Sequence, residues 1–133
     1  MTKVTIMPKI KRLHHVQMTV ASDQVEQARE FYCDVLGLLE IEKPESLKDR
    51  GGFWMRLGDV DIHVGVQDGI DRQTLKSHIA FQVGDLEVWR SRLLEHGIQI
   101  LASIPIPGYT RFEFRDPFGN RMELIQSVSD DSD

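Results

Sequence analysis

The chain has a single cysteine, Cys33, so it cannot close an internal disulfide, and a reducing compartment such as the cytoplasm is the expected location. It has no apolar run approaching the ~18 residues that a membrane span requires, and its opening MTKVTIMPKIKR holds no apolar signal-peptide core. Neither export nor membrane insertion is expected. A basic excess is also missing. There are 16 Lys and Arg against 21 Asp and Glu, a net charge of −5, and only Lys3, Lys9, Lys11 and Arg12 gather locally. Neutralising phosphates needs a concentrated basic face, which argues against a dedicated nucleic-acid binder. What remains, 133 residues of which 41% are hydrophobic and 28% charged, suits one ordinary globular domain and is too short for two.

The chain repeats itself. Residues 15–20, HVQMTV, alternate Val16, Met18 and Val20 with His15, Gln17 and Thr19, which reads as a strand with one buried face. Asp23 can then cap a helix carrying Val25, Ala28, Phe31, Tyr32 and Val35, stopped by Gly37. Extended segments follow at Leu39–Lys43, GGFWMRLG and VDIHVGVQ, the last two forming a hairpin about Gly58-Asp59. HIAFQV at 78–83 reopens the pattern of HVQMTV. Leu86, Trp89 and Leu93 match Val25, Ala28 and Tyr32, Gly97 matches Gly37, and Ile98–Leu101 mirrors Leu38–Ile41. The pair RFEFRD and RMELIQ closes the second copy. An α+β fold of two βαβββ modules is expected, about 10–67 and 77–126, followed by an acidic tail at 127–133 that frays.

Side chains alternate faces along a strand, so parity decides which residues can converge. His15 lies opposite Val16, Met18 and Val20, His63 opposite Ile62 and Val64, His78 opposite Ile79 and Phe81, and Glu123 opposite Met122 and Leu124. All four avoid the helix-packed face. One histidine on a strand is more often solvated or hydrogen-bonded than a ligand. Four donors at equivalent slots of an internal repeat are another matter, since pseudo-symmetry should bring them together. Three imidazoles and a carboxylate suit Zn, Ni, Co, Mn or Fe as divalent ions. His14, on the other parity, and His96, at a helix end, read as structural, and Cys33 has no neighbouring base to make a thiolate.

This repeat, with FYCDVLGL and DPFGNRMEL as its most recognisable words, resembles the vicinal oxygen chelate superfamily over residues 10 to 126. Glyoxalase I, methylmalonyl-CoA epimerase, extradiol dioxygenases, fosfomycin-resistance transferases and bleomycin-binding proteins belong to it. The resemblance implies the curved mixed sheet of the glyoxalase and dihydroxybiphenyl dioxygenase fold. It implies a metal triad of His15, His78 and Glu123, with His63 in a fourth slot that glyoxalase I and the epimerase fill with Glu or Gln. A histidine there can ligate but cannot act as a carboxylate base, which leaves Glu123 as the only ligand that could also be the base.

The expected function is therefore a metal-dependent lyase or isomerase of glyoxalase type. The ion would bind two adjacent oxygens of a small substrate while Glu123 shuttles a proton. Gln17, Trp54, Arg56 and Arg111 are candidate substrate-binding residues, the two arginines sharing the donor parity and suited to an anion. Alternatives are thiol transfer to an epoxide antibiotic, ring-cleaving dioxygenation with His63 standing back, and non-catalytic drug binding in a groove lined by Phe53, Trp54, Tyr109 and Phe112. Because each module carries only two donors, two half-sites must meet. By resemblance, a homodimer is expected in which His15 and His63 of one subunit join His78 and Glu123 of the other.

Overall fold

The computed structural model of the chain describes residues 6–129. Strand β1 (His15–Val20) leads into helix α1 (Val25–Arg29), which continues as a π-helical turn, Glu30–Val35. Strands β2 (Leu39–Ile41), β3 (Phe53–Leu57) and β4 (Val60–Val66) complete the first module, with a 3-10 segment at Glu45–Arg50 between β2 and β3. A 3-10 turn at Arg72–Thr74 leads to the second copy: β5 (His78–Gln82), α2 (Leu86–Glu95), β6 (Ile100–Leu101), β7 (Tyr109–Arg115) and β8 (Arg121–Ser127). The sheets have the same order, β1-β4-β3-β2 and β5-β8-β7-β6. In each, the first and last strands are parallel neighbours and the other pairings are antiparallel. Two βαβββ modules are thus present, as the repeat requires.

The first helix differs from its expected form. Asp23 does not cap it: Gln24 is the N-cap residue, and its side-chain oxygen turns back to accept from the Ala21 N–H at 3.0 Å. The widened turn that follows lets both Phe31 and Tyr32 face inward, where they are buried. In the second module Asp85 caps α2 by accepting from the Val88 N–H, and His96 closes that helix. Strands β2 and β6 are shorter than the extended segments read from the sequence. Pro44 precedes the 3-10 segment and ends the first, and two residues suffice for the second.

The apolar faces of both sheets meet in one continuous core, with Met18, Val20, Met55 and Val64 from the first and Phe81, Phe112, Phe114 and Leu124 from the second. Phe31 bridges to Phe114, with ring centroids 6.5 Å apart, and Arg92 of α2 donates to the Asp34 and Val35 carbonyls at the end of the π turn. Each sheet therefore presents its other face, the one bearing the candidate donors, away from the shared core. At the tail, β8 runs to Ser127 and the Val128 N–H donates to the Gly108 carbonyl at 2.9 Å. Residues 130–133, the rest of the expected fraying segment, lie outside the described residues, as do residues 1–5.

Gly52 sets the entry of β3. Its φ is 77°, and a Cβ there would sit 1.9 Å from the Val64 carbonyl oxygen of β4. Gly52→Ala is expected to destabilise the fold by about 2–4 kcal/mol, from left-handed backbone strain plus forced separation of the two strands. Gly58→Ala at the hairpin turn has open space around it, so it should cost only the backbone part, about 1–2 kcal/mol. Urea unfolding of the two variants checks the difference; equal losses would mean that the clash with β4 is relieved without cost.

Candidate functional site

The register of the first sheet places Gln17, His63 and Trp54 side by side on β1, β4 and β3. The Trp54 indole stacks on the His63 ring at 3.8 Å and 2°, and the His15 ring stacks on it at 4.4 Å and 17°. Since β4 runs between β1 and β3, His63 is sandwiched between the two. It is only 6% exposed, and its Nε2 is buried with no hydrogen-bond partner. Burial, reinforced by the neighbouring His15, pushes its imidazole below the ordinary histidine range. At neutral pH it is therefore an uncharged ring. An orphaned buried nitrogen of this kind costs about 1–3 kcal/mol unless something bonds it.

His14, read from the sequence as structural, lies with its Nδ1 3.0 Å from Nδ1 of His15. One of the two must donate. If the proton is on His15, the His15 Nε2 lone pair is left for a ligand.

The second sheet holds the other half-set. His78 Nδ1 lies 3.1 Å from the Lys76 carbonyl, so it is the protonated nitrogen when that bond forms, and Nε2 stands 3.3 Å from Glu123 Oε1. Arg111 reaches the same carboxylate oxygen at 3.1 Å and also donates to the Ile104 carbonyl at 2.6 Å. Directly across the ladder from Glu123 stands a second buried carboxylate, Glu113, bound by Ser103 at 2.8 Å and by Arg121. Burial penalises its charge, but Ser103 and Arg121 outweigh that and hold its carboxyl below the ordinary glutamate range. Two like charges at adjacent ladder positions are tolerated because each has its own arginine.

Parity places all four candidate donors on the non-core faces, as read from the sequence. It does not bring them together within one chain. Among the described residues no three His, Cys, Asp or Glu side chains form a metal-binding group. Within one chain the donors stand as two pairs, His15 with His63 on the first sheet and His78 with Glu123 on the second, because the apolar faces, rather than the donor faces, meet across the core. The substrate candidates also divide. Gln17 and Trp54 line a 430 Å³ cleft with His15 and His63, and the Gln17 amide lies over Gly65, where a Cβ would come within 2.9 Å of it. Arg56 is instead paired with Asp61 at 2.7 Å, and Arg111 with Glu123, so neither is a free anion holder in this structure. Of the suggested groove aromatics, Phe53 and Phe112 are core residues, Tyr109 is exposed and only Trp54 lines this cleft.

Two charged cleft residues, Lys43 and Arg50, were not singled out in the sequence. The signal for Lys43 was available: Ile41 pairs with Trp54, and the next residue of that parity is 43. Arg50 reaches the cleft only because the 3-10 segment turns there.

A family model described as Glyoxalase/Bleomycin resistance protein/Dioxygenase superfamily matches residues 12–124. The chain belongs to that superfamily. As a superfamily member it is 29% identical over 127 residues to a curated Arabidopsis thaliana protein named Glyoxylase I 4, covering 88% of this chain and 71% of the plant protein. A solved structure of a glyoxalase family protein from Bacillus anthracis is 35% identical, covers 92% of this chain and 99% of its own, and superposes with a TM-score of 0.83. TnmS3, an antibiotic binding protein from Streptomyces sp. CB03234, covers 92% of this chain and 100% of its own at a TM-score of 0.68, but its 20% identity shows only the shared fold. Within the superfamily the scaffold alone does not select a reaction. Among the described residues no helix is long and apolar enough to cross a membrane.

Proposed function

We propose that this protein is a metal-dependent lyase or isomerase of glyoxalase type, acting on a small substrate with two adjacent oxygens. The observation that carries the reading is the buried, partnerless Nε2 of the uncharged His63, stacked against His15 and lining an open cleft. Its chemistry fits a divalent ion, and so does the second pair, where His78 Nε2 and a Glu123 oxygen already lie 3.3 Å apart. His15 and His63 of one subunit with His78 and Glu123 of its partner would hold the ion. A bound ion would polarise the two substrate oxygens and stabilise the charge that develops as a proton leaves the adjacent carbon.

The remaining work falls to the side chains. Glu123 takes the proton from one carbon and returns it to another. Arg111, donating to Oε1, keeps the carboxylate in place, and the buried setting keeps bulk water from exchanging the proton. Gln17 and the Trp54 face bound the substrate on the other sheet.

Glu123→Gln tests this, since an amide oxygen still ligates but accepts no proton. Turnover of hemithioacetals or 2-substituted acyl thioesters should fall about 10²–10⁴-fold, with metal content largely kept. Full activity in the variant would remove Glu123 from proton transfer. Turnover of a catechol alone would replace the lyase reading with ring cleavage.

A further inference from the structure

We infer that Lys43 and Arg50 form an anion subsite at the rim of the imidazole cleft, so that the substrate carries a carboxylate or phosphate beyond its two chelating oxygens. The inference rests on the proposed function for its chelating end and on separate residues for its anionic end. The cleft is lined by His15, His63, Gln17, Trp54, Lys43 and Arg50 together with Leu47 and backbone near Gly51 and Gly65, and no acidic side chain is among its walls. In a chain with net charge −5 that is a local reversal of sign. A cleft of 430 Å³ is the size of a small-molecule site, and positive walls without carboxylates select anions.

The fold brings the two cations there by different routes. Lys43 continues the β2 parity that sets Ile41 beside Trp54, and its Nζ donates to the Gly51 carbonyl at 2.6 Å, which ties the ammonium to the cleft wall. Arg50 ends the 3-10 segment, immediately before the Gly51-Gly52 pair that returns the chain to β3. Among the described residues neither cation makes an ion pair with a carboxylate, whereas Arg56 and Arg111 are already so occupied. Glu40 and Glu42 border the neighbouring groove, with which Lys43 is shared, and stay outside this one.

Three hydroxamates test the assignment on metal-loaded protein by titration calorimetry: acetohydroxamate, which offers only two adjacent oxygens, and analogues extended by a terminal carboxylate or phosphonate. The wild type should bind at least one extended probe about tenfold more tightly than acetohydroxamate, the better of the two naming the anion. The Lys43→Gln/Arg50→Gln double variant should lose that advantage while keeping its affinity for acetohydroxamate. Lys43→Arg should retain most of it, which separates charge from disturbance of the loop. Equal binding of all three probes by the wild type overturns the subsite and leaves the chelate reading standing. If no hydroxamate binds in a metal-dependent way, the chelate reading fails and takes the inference with it.

Discussion

Dimers mixed from a His15→Ala chain and a His78→Ala chain should bind one divalent ion per dimer, while either parent homodimer binds none. In a composite arrangement each site takes His15 and His63 from one subunit and His78 and Glu123 from the other. The mixed dimer then has one site with both substitutions and one with neither. If each chain built its own site, both would be damaged and the mixture would stay empty. The motive is geometric: the stacked His15–His63 pair and the His78–Glu123 pair sit on different sheets, and among the described residues neither belongs to a group of three or more potential ligands. Two imidazoles alone hold a metal weakly, and completing four donors raises affinity by orders of magnitude. Tandem affinity tags isolate the mixed dimer, and elemental analysis counts the metal. A monomer that binds metal fully, or an empty mixed dimer, would end the shared-site model.

Asp116→Ala should destabilise the protein by about 3–5 kcal/mol, because four donors lose their acceptor in a buried place. One carboxylate oxygen accepts from the Phe118 and Asn120 N–H groups at 3.0 and 2.8 Å. The other accepts from the Asn120 side-chain amide at 3.0 Å and from the Tyr32 hydroxyl, and that ring is fully buried. Asn120 also donates to the Thr19 carbonyl at 3.0 Å. The closing turn of the second module is thereby locked to β1 and the π-helical turn of the first. Asp116→Asn should cost less, since one oxygen remains, though its amide would face the Asn120 amide donor to donor.

Burial holds the Asp116 carboxyl above the ordinary aspartate range, against the pull of Tyr32 and Asn120. Between those two values the native state keeps a proton that the unfolded chain has lost, so this residue's contribution falls as pH rises through the interval. The wild type's advantage over Asp116→Asn should therefore narrow with rising pH there, as measured by urea unfolding at stepped pH. An advantage that widens instead would mean that the hydrogen bonds dominate over burial.

Alternation and repetition are local properties, and they were sufficient for the strands, the two modules and the face on which His15, His63, His78 and Glu123 stand. A one-residue change of register would have put each of them in the core, so their parity was legible from their apolar neighbours alone. The words FYCDVLGL and DPFGNRMEL carried the resemblance, and Tyr32 and Asp116, one in each, meet in the folded chain.

How two half-buried sheets bury their apolar faces is a long-range matter that no local period encodes. Tertiary structure alone decided that both faces enter one core and that Arg56 and Arg111 spend their charge on Asp61 and Glu123. It also brought Lys43 and Arg50 to the imidazole cleft, because a 3-10 turn between two strands aims its residues by what it packs against and not by where they fall in the sequence.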